Sequence, residues 1–238
     1  MIGKKLFLAS LTLLALSLLA ACAKYEPEEN FEVHSTGKET AITKYNGTAM
    51  VVKIPPKIDG RIVTEIKENA FRDYKGLAEV NIPKSVTEIG DHAFEGCTGL
   101  TEVTIPQKVT TIGECAFAVC TGLTEVNIPK SVTTIGDSAF EGCTGLTKVT
   151  IPDSVTELSG FWGCTGLTEI TIPNSVTKIG VDTFSGCTGL TEVFVPQSVS
   201  DIGEEAFQGC TSLTKISVPR KTNCSPDAFP EGCKVTRY

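Results

Sequence analysis

The chain has 238 residues, 41% of them hydrophobic and 21% charged, with ten cysteines and a formal net charge of −7. That is enough apolar material for one sizeable core and excludes global disorder. Without Lys4 and Lys5 the charge becomes about −9, which argues against phosphate-backbone or anionic-membrane binding by the folded part, so nucleic acid is not an expected partner.

In chain order, the first element is a leader. Lys4 and Lys5 precede an apolar run from Leu6 to Ala21, the layout of a signal peptide over residues 1–21 rather than of a spanning helix. Its end, Leu19-Ala20-Ala21-Cys22, resembles the lipobox of bacterial lipoproteins. The resemblance implies acylation of Cys22 and a membrane anchor, because each buried methylene of an acyl chain adds about 0.8 kcal/mol. Residues 22–40, with Glu26, Glu28 and Glu29 around Pro27, then read as the lipidated cysteine and a short acidic tether.

From there the sequence repeats. Prolines at Pro55, Pro83, Pro106, Pro129, Pro152, Pro173, Pro196 and Pro219 are spaced by 28, 23, 23, 23, 21, 23 and 23 residues, and one phenylalanine per unit tracks them from Phe71 to Phe229. Self-similarity at this period marks a solenoid. In each unit an L-x-x-V-x-I stretch, such as Leu123 to Ile128, reads as a short strand with Val and Ile inward, closed by a proline that has no N–H to extend a ladder. The Val-x-x-Ile-Gly segment after it reads as a return path or a second short strand, and the Ala-Phe pair as a helical or 3₁₀ turn. A lone unit has nothing to cover its apolar side chains, so stability must come from stacking. Residues 41–76 form an N-terminal cap and first repeat, 77–218 the central repeats and 219–238 a C-terminal cap. The five extra residues of the first unit, within Ile54 to Val63, are expected to make a hairpin over the open end.

Three motifs recurring in order, L-x-x-V-x-I-P, I-G-x-x-A-F and C-x-x-L, resemble the BspA-like leucine-rich-repeat family of bacterial surface proteins over residues 41–233. The resemblance implies a β-rich repeat solenoid, a right-handed coil with a parallel β-sheet on its concave face and turns, short strands or 3₁₀ segments on its convex face. It also implies a binding protein rather than an enzyme.

Cys97, Cys120, Cys143, Cys164, Cys187 and Cys210 share one column of the repeat, with Tyr74 and Cys233 at its ends. The spacing reads as a buried structural ladder. No C-x-x-C pair exists and only His34 and His92 offer imidazole, so no metal site and no cofactor is expected. Cys224 and Cys233 are the best-placed disulfide pair, and Cys115 reads as an exposed free thiol.

Strand alternation sends Glu79, Glu102, Glu125, Lys148, Glu169, Glu192 and Lys215 to the concave surface, the face such solenoids use for ligands. Neighbouring glutamates about 5 Å apart have the separation of a retaining glycosidase, but they are repeated and lie on an open face without further catalytic groups. The same acidic column is also compatible with a weak calcium site. Phe194 breaks its column of Asn, Thr and Ser, either as a binding anchor or as a ring packed on Thr171 and Ser217. Trp162 lies in a unit two residues short and reads as an outward convex residue, either filling the gap left by the deletion or anchoring a partner. The expected function is a lipid-anchored surface protein that binds protein or glycan, with host extracellular matrix among the ligands the resemblance implies. An envelope scaffold without a host ligand is the alternative, and a carbohydrate-active enzyme the distant one.

Overall fold

The computed structural model describes residues 25–238. The expected signal peptide and Cys22 lie outside the described residues. The chain winds into a parallel-strand β-solenoid of about nine turns, and the repeat explains how.

The L-x-x-V-x-I stretch supplies the first strand of each turn. Val51–Lys53, Glu79–Asn81 and Glu102–Thr104 pair in parallel, as do Glu125–Asn127 with Lys148–Thr150, and Glu192–Phe194 with Lys215–Val218 and then Lys234–Arg237. The shortened unit contributes a single bridge, Thr150 to Thr171. The return path is indeed a second strand. Glu88–Ile89, Thr111–Ile112 and Thr134–Ile135 form one parallel ladder, and Glu157–Leu158, Lys178–Ile179, Asp201–Ile202 and Asn223–Cys224 another. The break between them falls where the two residues are missing.

The Ala-Phe corner is built from hydrogen-bonded turns rather than from a helical segment; among the described residues only Glu28–Asn30 is helical, as a single 3₁₀ turn. Two left-handed residues per corner turn the chain: His92, Cys115 and Ser138 at φ 56°, 50° and 54°, and then Gly96 and Gly142 at 70° and 62°. Between them the Phe94 and Phe117 N–H groups donate to the Ala116 and Ala139 carbonyls of the next turn, each at 2.8 Å, so backbone bonding continues where no strand exists. Val119 occupies the glycine position of its corner at φ 58°, a conformation that β-branched side chains resist.

Inside, every repeated apolar column is buried. Phenylalanines from Phe71 to Phe229 stack in one file with ring centroids 4.9 to 6.1 Å apart, and the file passes through the shortened unit without a gap. The spacing follows the separation of paired strands, so identical rings meet face to face in an offset stack. Each thiol of the cysteine column donates to the carbonyl of the preceding turn's phenylalanine, Cys120 to Phe94 at 3.2 Å and Cys143 to Phe117 at 3.1 Å. The turns sit so close that a Cβ at Gly136 would fall 2.5 Å from the Glu114 backbone nitrogen, and one at Gly145 would fall 2.5 Å from the Thr121 carbonyl oxygen.

The N-terminal end differs from the tether expected over residues 22–40. Phe31–Thr36 is a strand, paired antiparallel with Glu39–Tyr45, and Phe31 is buried against Tyr45. Burying that ring draws the folded domain's boundary back into the acidic segment. The predicted hairpin forms, with Lys57–Ile58 folding back on Arg61–Ile66 through Asp59 and Gly60, both at positive φ, as a two-residue turn requires. The end of the ladder, however, is covered by Phe31–Thr36 and Glu39–Tyr45, which pairs with Arg61–Ile66, and not by the hairpin. Tyr74, in place of the first cysteine, donates its hydroxyl to the Ala49 carbonyl at 2.9 Å.

Candidate functional site

Three-residue strands allow one inward and two outward side chains, and the described strands follow an exposed, buried, exposed pattern. Glu79, Glu102, Glu125, Lys148, Glu169, Glu192 and Lys215 are accordingly all exposed on one face. In register, Glu79 lies beside Glu102, Glu125 beside Lys148, and Glu192 beside Lys215, which is followed by Lys234. The face is acidic toward the N-terminal turns and mixed toward the C-terminal ones. Lys215 donates to Glu192 at 2.5 Å, the ion pair of this column. Between the strands holding Glu102 and Glu125 the ladder is unpaired, and a shallow groove of about 590 Å³ opens there, lined by both carboxylates, Gln107 and Asn127.

Phe194 is 59% exposed on this otherwise polar surface. Its ring stacks on Tyr238, with centroids 5.2 Å apart and planes 23° from parallel. Tyr238 reaches back to donate its hydroxyl to the Val195 carbonyl at 2.6 Å, while its N–H bonds to the Val218 carbonyl. This partner lies 44 residues on and is not legible from the repeat column, which offers only Thr171 and Ser217 as neighbours. The two rings form a joint aromatic platform at the C-terminal end of the charged column.

Trp162 is outward and 48% exposed, as its column predicts. It does not fill the deletion. The indole Nε1 lies toward Gly186, about 4.0 Å from where a side chain there would begin. The recess at the shortened corner, about 670 Å³, is lined instead by Gly136, Asp137, Ser159, Gly180 and Val181 together with the adjoining strands. The missing residues precede the phenylalanine, whereas Trp162 follows it, so the side chain emerges beyond the gap.

The nine cysteines among the described residues are free thiols, so Cys224 and Cys233 are not joined. Cys224 faces the Arg237 guanidinium at 3.2 Å, whereas Cys233 sits at the end of the cysteine column near Cys210. Burial pushes the ladder thiols up, Cys97 and Cys210 to about 12 and those between them further, which keeps them protonated and inert.

Cys115 is half-buried on the opposite side of the coil. Burial raises its thiol, as do Glu141, Glu114 and Glu95, with Arg72 opposing. Coil stacking places it one turn above His92, and a ligand atom from each of His92, Glu114 and Cys115 lies within 4.8 Å of the others. His92 Nδ1 is 2.6 Å from Glu95 Oε2, and Glu95 Oε1 accepts from Arg72 at 3.0 Å. The repeat itself carried the signal, since positions 92 and 115 occupy one column of adjacent units.

Comparison with known proteins follows the same repeat. The profile of one family, described as BspA type leucine rich repeat region, matches six copies across residues 54–160 and 159–237. Among solved structures, a leucine-rich repeat protein from Bacteroides ovatus is similar at 27% identity and a TM-score of 0.60, over 90% of this chain and 71% of that one. The leucine-rich repeat protein of T. pallidum is similar at 29% identity and a TM-score of 0.55, over 90% and 86% respectively. No curated protein sequence matches the chain.

Proposed function

We infer the function of this chain from its family: it belongs to the BspA type leucine-rich-repeat proteins, whose repeats are protein-interaction modules, and its charged strand face is the binding surface. The observation that carries this reading is the Phe194–Tyr238 platform. A 59% exposed phenylalanine, stacked rather than covered, breaks a column of small polar residues beside the Glu192–Lys215 pair. Flat aromatic area that costs little side-chain entropy to dock, flanked by charges that set register, suits a protein surface or the apolar face of a sugar ring.

The lipobox-like end of the leader supports a bacterial envelope protein held by lipid at Cys22, with the solenoid presented outward as an adhesin for protein or glycan ligands, host extracellular matrix included. Repetition of the glutamates on an open face supports recognition over catalysis, because a hydrolytic pair needs a singular, enclosed arrangement. Trp162, exposed on the other side, is a second candidate anchor.

The test has two arms. Protease applied to intact cells should remove the solenoid, and Cys22→Ser should release the protein from the membrane fraction; protection from protease would favour the scaffold reading. Against immobilised matrix proteins and a glycan array, Phe194→Ser should weaken whatever binding the wild type shows by about tenfold or more, the usual loss at an interface anchor. Binding indifferent to Phe194→Ser and to Lys148→Glu would place the ligand on another face.

A further inference from the structure

We propose that His92, Glu114 and Cys115 form a binding site for a divalent transition metal of the zinc class, on the corner of the coil away from the charged strand face. Stacking brings His92 of one unit beside the consecutive pair Glu114 and Cys115 of the next: His92 and Cys115 hold the same left-handed turn position in successive units, at φ 56° and 50°. Backbone bonds fix both turns, with the His92 N–H donating to the Glu114 carbonyl at 2.8 Å, the Cys115 N–H to the Asp137 carbonyl at 3.0 Å and the Glu114 N–H to Asp91 Oδ1 at 2.8 Å.

The donor atoms already lie within 4.8 Å of one another. Tetrahedral zinc with bonds of about 2.0 to 2.3 Å needs its ligand atoms roughly 3.5 Å apart, so a contraction of about 1 Å, within the reach of side-chain rotation, completes the set. One thiolate, one imidazole and one carboxylate suit zinc over magnesium or calcium, which prefer oxygen alone. The contacts around the trio resemble a metal site's outer shell. Glu95 accepts from His92 Nδ1, which leaves Nε2 free to ligate, and Arg72 holds Glu95 in place. Binding forms the metal–sulfur bond and releases the Cys115 proton to solvent. Three protein donors leave the fourth position to water.

Cobalt(II) reports thiolate ligation directly. Titrated into the reduced, metal-free protein, it should give a near-ultraviolet thiolate-to-cobalt charge-transfer band that zinc abolishes by displacement. The band should be lost in Cys115→Ser and His92→Asn. Both variants should fold, because Ser138 and Asn69 occupy this same turn position at positive φ in neighbouring units, and thermal melts verify it. Glu95→Gln should weaken zinc about tenfold or more without abolishing binding. In the wild type, zinc should also protect Cys115 from maleimide labelling, mapped by mass spectrometry. Absence of the band, its survival in either variant, or labelling of Cys115 indifferent to zinc would overturn the site.

Discussion

The inward and outward columns of this coil obey different rules. Inward, the same residue recurs turn after turn: phenylalanine on phenylalanine, thiol under carbonyl, glycine against backbone. Outward, position 92 is His, 115 Cys, 138 Ser, 182 Asp and 205 Glu, although the backbone beneath them is the same. An inward residue must fit two identical neighbours at once, so any change is felt on both sides. An outward residue meets water on one side and is free to diverge. Inward uniformity is therefore a requirement of packing here, and the outward positions are where specific chemistry has room to sit.

The largest effect should come from breaking the inward side everywhere at once. The six ladder cysteines, from Cys97 to Cys210, have thiols raised by burial. In the unfolded chain they ionise near about pH 8.5, so below that pH both states are protonated and no stability depends on them. Above it the unfolded state loses protons that the folded state keeps, until the folded thiols titrate, at about 12 for Cys97 and Cys210. Each cysteine then removes about 1.4 kcal/mol per pH unit across that window. In reducing buffer the unfolding free energy from urea titration should fall steeply above about pH 8.5, the ladder's share of the slope approaching six protons and dropping by one in Cys143→Ala. A free energy that stays level through this range would refute the buried ladder.

Removing a single inward ring comes next. Phe140→Ala empties a fully buried site stacked on Phe117 and Phe161. A loss of about 3 to 5 kcal/mol is expected in chemical denaturation, less if the neighbouring turns collapse into the space.

The inward columns are also what the sequence made legible. Proline, phenylalanine and cysteine spacings set the register, and with it the parallel pairing, the buried set and the exposed charge column. What was hidden depends on contacts across turns or on local reversals. Tyr238 meets Phe194 because Lys234–Arg237 adds to the ladder, Tyr238 carries its backbone bonding on to Val218 and Arg220, and its side chain reaches across to the Val195 carbonyl. Residues 31–36 follow an acidic run that reads as tether, yet pairing with Glu39–Tyr45 and burial of Phe31, with Val33 packed beside the core, dock them. Trp162 and the deletion share one unit but emerge on different sides of its phenylalanine. His92 and Cys115 were readable as a column and not as a pair, because column and stacking have to be combined.

Between the two classes stands Val119, an outward residue doing an inward residue's backbone work. At φ 58° it fills a position that Gly96, Gly142, Gly163, Gly186 and Gly209 hold in other turns, and its side chain is 42% exposed, so little burial is at stake. A left-handed L-residue costs about 1 to 2 kcal/mol, partly offset by the entropy glycine loses on folding. Val119→Gly should therefore stabilise the protein by about 0.5 to 1 kcal/mol, seen as a rise in Tm. A fall in Tm would mean that its neighbours, not its backbone, set the choice there.

The smallest effect should fall on the charged strand face. Lys215 and Glu192 form an ion pair with side chains 49% and 60% exposed, where water and salt screen the attraction and two long side chains must be ordered to make it. Lys215→Ala should change stability by no more than about 0.5 kcal/mol, and a double-mutant cycle with Glu192→Ala should return a coupling of similar size that shrinks in salt. A coupling above about 1.5 kcal/mol would be well beyond an exposed pair and would make this column a second structural ladder. A small value leaves Glu192, Lys215 and the rings of Phe194 and Tyr238 with little part in holding the coil together. Substitutions on this face would then report on ligand rather than on fold, which is the condition for testing it as a binding surface at all.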